Sequence, residues 1–350
     1  MAYRTTLNYM LRLGTLITAA AVVIVIMGSG SPVKNQNSSG ISVKNVNAVI
    51  VDNENVKWFS TDVGVVSFDG KRWKLHDGNS SIPVRQLKGV TYVENPAGAA
   101  IWIASPEGAT VARLPMKKKS DALTYNPENS SVLSQNVVSI TTGKNSIRWM
   151  GTDKGVSALC CDKWLTPDYE MHYPQRLFQL YPITSMATNP QGDSLYVGTA
   201  GAGIARVYRD DLDGISGASV IAQWGPIDLP SDYVLSVYIA PDGTKWFGTE
   251  EGVARHTGSN TLDHWTVYTT EDGLVNNFVQ AIGKDKAGNV WFGTQAGISV
   301  FDGSSWISYT TDNGLISNNI LSLATDHDGI VWIGTEEGIA SYENGKFISY

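Results

Sequence analysis

"VWFGTQAGI", Val290 to Ile298, returns as "VWIGTEEGI", Val331 to Ile339. The shared skeleton is an apolar residue, Trp, a large apolar residue, Gly, Thr, two more residues, Gly and an aliphatic residue. Upstream it recurs as "KWFGTEEGV" (Lys245–Val253), "LYVGTAGAGI" (Leu195–Ile204), "RWMGTDKGV" (Arg148–Val156), "IWIASPEGA" (Ile101–Ala109) and "KWFSTDVGV" (Lys57–Val65). Trp58, Trp102, Trp149, Tyr196, Trp246, Trp291 and Trp332 therefore mark seven copies, spaced 44, 47, 47, 50, 45 and 41 residues apart. Self-similarity at this period defines a repeat architecture before any single element is assigned.

Each copy reads as four short strands. An apolar run precedes the marker, as in "LSVYIA" or "LSLATD", and a turn such as Pro241-Asp242-Gly243 separates the two. The marker strand leads through Thr-x-x-Gly, a hairpin signal with Gly where φ must be positive, to a third strand. A fourth strand often carries an aromatic: Trp73, Trp164, Trp265, Trp306 and Phe347. "VWFGT" does not alternate apolar and polar residues, although a strand sends successive side chains to opposite faces. Both faces must then be covered, which radially arranged sheets achieve. The Gly after the marker pair removes a side chain where the next sheet approaches. An open stack would leave its end sheets bare, whereas a closed ring does not. The expected fold is all-β, a seven-bladed β-propeller of four-stranded antiparallel blades over residues 32–350. Two stacked β-sandwiches would not need seven near-copies of one motif, and there is no Trp-Asp dipeptide of the WD40 kind.

The segment "DGLVNNFVQAIGKDKAGNVWFGTQAGISVFDGSSWISYTTDNGLISNNILSLATDHDGIVWIGTEEGIASY" resembles the two-component regulator propeller repeat. The likeness is strongest in residues 46–75 and 232–350 and weaker in 76–231, where Tyr196 replaces Trp and insertions near 113–131, 165–183 and 208–231 break the symmetry. That family forms extracytoplasmic sensor regions of bacterial hybrid histidine kinases, so the resemblance implies a sensor-type propeller. The chain stops at Tyr350 with no kinase sequence, so signalling is expected to pass through a separate, membrane signalling protein.

Composition narrows the partners. The 350 residues carry a formal charge of −7, which disfavours nucleic acid, since phosphate binding needs clustered Lys and Arg. Lys117-Lys118-Lys119 is a short basic run that reads as a solvated loop. Residues 1–31 read as a signal peptide or N-terminal membrane anchor: Arg4 and Arg12, an apolar run from Leu13 to Met27, then "GSGSP". The run is short for a span, so cleavage near 29–33 is favoured over a membrane tether. The propeller is thus expected outside the cytoplasm, periplasmic, extracellular or outward-facing on a membrane. Adjacent Cys160 and Cys161 make neither a zinc site nor a disulfide framework, and two reduced thiols in a turn are a simpler reading than a vicinal disulfide.

By repeat symmetry the Thr-x-x-Gly hairpins share one face of the ring. They carry Asp62, Glu107, Asp153, Glu250, Glu251, Glu336 and Glu337, with Gln295 in blade six. The connections from each fourth strand to the next first strand open on the same side and add Gln135, Asn136, Asn276, Asn277, Asn318 and Asn319. Carboxylates and amides suit a small polar ligand or glycan; the bland alternative is that the Asn side chains satisfy local backbone groups. A protein partner is the other candidate occupant. Exposed aromatics in "TPDYEMHYPQRLFQLY" and around Trp224 and Tyr233 would favour sugar stacking or a protein contact. No cofactor or metal site is expected. "RDDLDGISG" places Asp211, Asp213 and Gly214 at calcium-loop positions, but Arg209 and Val220 stand where ligands belong. An enzyme is the second reading, because the fold resembles streptogramin lyases, whose channel-lining histidines act in catalysis. His76, His172, His256, His264 and His327 share no repeat position that would pair them on the channel, and no nucleophile elbow occurs. A pure interaction scaffold is the third.

Overall fold

Seven four-stranded antiparallel sheets follow one another along the chain, each pairing its strands in sequence order. The computed structural model describes residues 33–34, 40–76, 82, 86–95, 98–116, 121–160, 163–165, 178, 180–210, 214–222, 229–258 and 264–350. Blade one comprises Ala48–Val51, Lys57–Thr61, Gly64–Phe68 and Trp73–His76; blade seven comprises Ile320–Thr325, Val331–Thr335, Ile339–Glu343 and Lys346–Ser349. The seven first strands touch one another in turn around the ring, so they are innermost, and the fourth strands lie outside.

The marker strands are buried on both faces, as their unbroken apolar pattern requires. Every residue of Lys57–Thr61, Val290–Thr294 and Val331–Thr335 is buried. Each marker Trp packs between sheets: Trp246 meets Phe292 of the following blade edge-on at 5.2 Å, and Trp332 meets Phe59 at 5.8 Å. The core is therefore a succession of inter-blade seams rather than one centre, each fed by the apolar area of two sheets. Glycine behind the marker pair sets how close those sheets come. A Cβ on Gly334 would lie 2.2 Å from Ser322 Oγ and 2.4 Å from Val46 O, and one on Gly248 would lie 2.3 Å from Ser236 Oγ.

An innermost strand presents an unpaired edge to the channel, and neighbouring blades supply part of what it lacks. Ser236 Oγ donates to Val279 O at 3.0 Å, Thr188 Oγ1 to Thr142 O at 2.9 Å and Thr325 Oγ1 to Lys284 O at 2.8 Å. Ser322 Oγ donates to Val46 O at 2.8 Å across the junction of blades seven and one. The ring closes there by noncovalent contacts: Asn45 N–H to Glu336 O at 2.9 Å, Val46 N–H to Thr335 O at 3.0 Å, and a buried Lys57–Asp326 ion pair at 3.2 Å. Val33–Lys34 adds a fifth, parallel strand outside Lys346–Ser349.

The middle of the chain needs one correction. Two of the stretches read as insertions contain fourth strands: Ala122–Tyr125 completes blade two, and Gly214–Ala222 completes blade four opposite Ile204–Asp210. These strands lack the Trp that marks blades one, three, five and six, so the sequence pattern hid them. The calcium-like residues Asp211 and Asp213 lie outside the described residues, as do Lys117–Lys119, Cys161, His172, Trp224 and the leader. Cys160 is buried, with its Sγ 3.9 Å from Asn145 O. Among the described residues no helix is long and apolar enough to cross a membrane.

Candidate functional site: the hairpin face

Thr-x-x-Gly builds the hairpin from both ends. Thr294 Oγ1 donates to Gly297 O at 2.8 Å while accepting Ala296 N–H at 3.1 Å; Thr61, Thr152, Thr249 and Thr335 donate to their own glycines in the same way. Gly297 takes φ +128°, and a Cβ there would stand 2.3 Å from Tyr309 O on the fourth strand. With Thr and Gly thus committed, the two residues between them are the ones that reach solvent. Asp62, Glu107, Asp153, Glu250, Glu251, Gln295, Glu336 and Glu337 are exposed.

The connections meet these hairpins on the same face. Gly297 N–H donates to Asn318 O at 2.8 Å and Glu336 N–H to Asn319 O at 3.3 Å. The individual side chains divide into two groups. Asn277 Oδ1 accepts Thr270 N–H at 2.8 Å, Asn318 Oδ1 accepts Thr311 N–H at 2.8 Å, and Asn276 Oδ1 accepts Phe278 N–H at 2.9 Å. These three carbonyl oxygens hold their own loops. The second group ties hairpin to connection: Asn136 Nδ2 reaches Asp153 Oδ2 at 3.4 Å, and Asn319 Nδ2 donates to Glu336 Oε2 at 2.9 Å while its Oδ1 accepts from Gln280 Nε2 at 2.7 Å. Asp62 Oδ1 accepts Lys44 N–H at 2.7 Å. Gln135 is exposed.

Between blades one and two this face opens into a pocket of ≈ 650 Å³. Its wall combines Thr61 and Asp62 from one hairpin, Pro106 and Glu107 from the next, and Asn45, Asn47, Gln86 and Lys88 from the two adjoining connections. Asn45 and Gln86 adopt φ +49° and +52°, a left-handed conformation that costs a non-glycine residue energy and clusters where function holds it. The wall offers two carboxylates, three amides and an ammonium, a mixture of donors and acceptors with little net charge. Lys44, beside it, pairs with Glu337 at 2.8 Å; that hydrogen bond and charge raise its ammonium above the usual value. The connection residues Asn45, Asn47, Gln86 and Lys88 escape sequence reading because the blade-one and blade-two entries carry no Asn-Asn doublet like Asn276-Asn277. Two further features stand on the same face at blade four. Tyr181 and Tyr233 are 37% and 41% exposed, flanking the hairpin, where a Cβ on Gly201 would lie 3.3 Å from Tyr181 Cδ1.

The described histidines do not gather at this pocket. His76 is buried on Ser67 Oγ at 2.9 Å, and His256 is buried against Trp265, ring centroids 4.6 Å apart. His264 immediately precedes the fourth strand Trp265–Tyr268 and His327 sits in a first-to-second-strand turn, both at the ring's other face. Among the described residues no group of three or more His, Cys, Asp or Glu is placed to hold a metal ion.

Strand order and radial sheets define a seven-bladed propeller. Residues 273–296 and 314–337 match the two component regulator propeller family. Among curated proteins none matches the chain in sequence. Solved structures agree on the fold. The extracellular domain of a hybrid two component system from B. thetaiotaomicron superposes with a TM-score of 0.68 at 19% identity, over 89% of this chain and 41% of that one. PorZ, a surface component of the type-IX secretion system of Porphyromonas gingivalis, gives 0.68 at 15% identity over 85% and 46%. Virginiamycin B lyase from Staphylococcus aureus gives 0.64 at 12% identity over 87% and 97%. The chain thus spans about two fifths of the length of the B. thetaiotaomicron domain it resembles.

Proposed function

We propose that the chain is an exported, non-catalytic recognition module whose hairpin face binds a neutral, hydroxyl-rich ligand such as a glycan and reports it through a separate membrane signalling protein. The observation that carries this reading is the ≈ 650 Å³ pocket at the blade-one and blade-two hairpins, walled by alternating amides, carboxylates and Lys88. Vicinal hydroxyls both donate and accept, so they match such a wall better than an ion or an apolar body does. The exposed Tyr181 and Tyr233 rings offer sugar-stacking surfaces at a second place on that face. The extracellular two component system domains that share the fold support an extracellular, ligand- or protein-directed role of this kind. Titration calorimetry with a panel of neutral oligosaccharides tests it. Saturable binding without consumption of the sugar is expected, weakened about tenfold by Asp62→Ala or Gln86→Ala, in line with loss of one or two good hydrogen bonds. Uniform absence of binding, or steady turnover of a sugar, would reject the reading.

A further inference from the structure

The repeat contains its own control for what a marker indole requires. In blade seven Trp332 pairs across to Ala324, and two residues beyond that partner stands Asp326. Its carboxylate accepts Trp332 Nε1–H at 2.9 Å and meets Lys57 Nζ at 3.2 Å. Lys57 precedes the marker of blade one and lies over the Trp332 ring, 5.4 Å from its centroid. Indole, cation and carboxylate form a complete set at this seam. Asp52 and Asp285 hold Trp58 and Trp291 in the same way, at 2.8 and 2.9 Å.

The seam between blades two and three repeats the indole and the cation. Trp102 pairs across to Thr91, and Arg148, which precedes the marker of blade three, lies 5.5 Å from the Trp102 centroid. The strand register puts Val93 two residues beyond Thr91, where blade seven has Asp326. Trp102 Nε1 and Arg148 Nε are accordingly buried with no hydrogen-bond partner, and Trp102 is only 3% exposed. Buried donors are rarely left unpaired, because their lost hydration is not replaced. Both residues line one cleft of ≈ 450 Å³, which opens toward the face opposite the hairpins. Val111, Leu123, Tyr125 and Leu159 give it apolar walls, Leu123 being 51% exposed. Arg113 stands at its lip with Asp121, which has interactions of its own. Trp149 Nε1 is unpartnered too, but it is hemmed in: a Cβ on Gly143 would come within 2.9 Å of it.

We propose that this cleft is a second binding site, distinct from the hairpin face, and that it takes a small carboxylate with an apolar body. The carboxylate replaces in trans what Asp326 supplies in blade seven, accepting from Trp102 Nε1 and Arg148 Nε, and the apolar body lies along Val111, Leu123 and Tyr125. Arg148 supplies charge as well as a donor, so a neutral ligand of the same shape binds less well.

Benzoate is the probe, and benzyl alcohol its neutral control. The full chain is followed in proton–nitrogen correlation spectra, with the Trp102 indole signal assigned by its loss in Trp102→Phe. Benzoate is expected to shift that signal downfield and to saturate, while benzyl alcohol leaves it in place. Arg148→Met should weaken benzoate about tenfold or more. Val93→Asp, which restores the repeat's own carboxylate, should shift the indole signal without ligand and abolish the benzoate response. If that variant does not fold, Arg148→Met decides. A signal that fails to saturate, moves equally with benzyl alcohol, or titrates unchanged in Arg148→Met overturns the proposal. Each of these outcomes leaves the hairpin-face reading untouched, because that pocket lies at the other end of the ring.

Discussion

Asp326 shows how much one side chain can carry. Its carboxylate accepts from the Trp332 indole and the Ile330 backbone and pairs with Lys57, with side chains 0% and 4% exposed. Burial by itself would raise its pKa, but the Trp332 N–H, the Ile330 N–H and the Lys57 ammonium outweigh burial and hold it below the ordinary value. A carboxyl depressed in the folded state adds stability that is present above its unfolded pKa, about 4, and is lost as pH falls through the lower folded value. Thermal melts should therefore drop as the pH is lowered from about 5 to about 3. Asp69, Asp242 and Asp302 are depressed as well, chiefly by turn backbone N–H groups, but they are exposed, so Asp326 is the buried contributor. Asp326→Asn should cost about 3 kcal/mol at neutral pH, by stranding Lys57, and should flatten part of that acid slope. An unchanged slope in the variant would assign the pH response elsewhere. The markers Trp58 to Trp332 were legible in sequence because a large aromatic repeats visibly. The carboxylates behind them were not, since Asp52, Asp285 and Asp326 have no counterpart at Val93, Gly143 and Ala240, and only strand register shows these positions to be equivalent.

At the scale of the strand, the seam is set by what glycine leaves out. Gly248→Ala would push a methyl to 2.5 Å from Val279 O and 2.3 Å from Ser236 Oγ, displacing the hydroxyl that caps the neighbouring strand. Chemical denaturation should show a loss of about 1–3 kcal/mol, the usual range for overpacking. Gly89→Ala is the internal comparison, because a Cβ there meets Ala104 at an ordinary 3.7 Å. It should change stability by about 0.5 kcal/mol or less. Equal losses in both would mean that the seam is looser than these distances require. The reading of this glycine as a point of close approach came directly from "VWFGT", where nothing else explains a gap in an apolar strand. The pocket on the hairpin face was only half legible for a related reason. Repeat symmetry put Asp62 and Glu107 on the hairpin face, where they line the pocket, but the Asn doublets that stood out in sequence include Asn277 and Asn318, whose carbonyls hold their own loops. The pocket is instead completed by Asn45, Asn47, Gln86 and Lys88, which follow no pattern from blade to blade.

At the scale of the whole molecule, the account rests on blade seven meeting blade one. The hairpin face exists as a continuous surface only if the ring closes, and the pocket beside Asn45 lies against that junction. Period and two-sided burial made closure the natural expectation, while the way it is held was not readable: Lys57 and Asp326 are far apart in the chain and neither stands out in sequence. Their meeting gives the most direct measurement. A double-mutant cycle with Lys57→Met and Asp326→Asn, read by urea unfolding, isolates the energy that the two residues share. Closure predicts a coupling of about 1–3 kcal/mol, with the double variant recovering much of what Asp326→Asn alone loses. Effects that simply add, to within about 0.5 kcal/mol, would mean that blades one and seven do not touch there, and would contradict the closed ring.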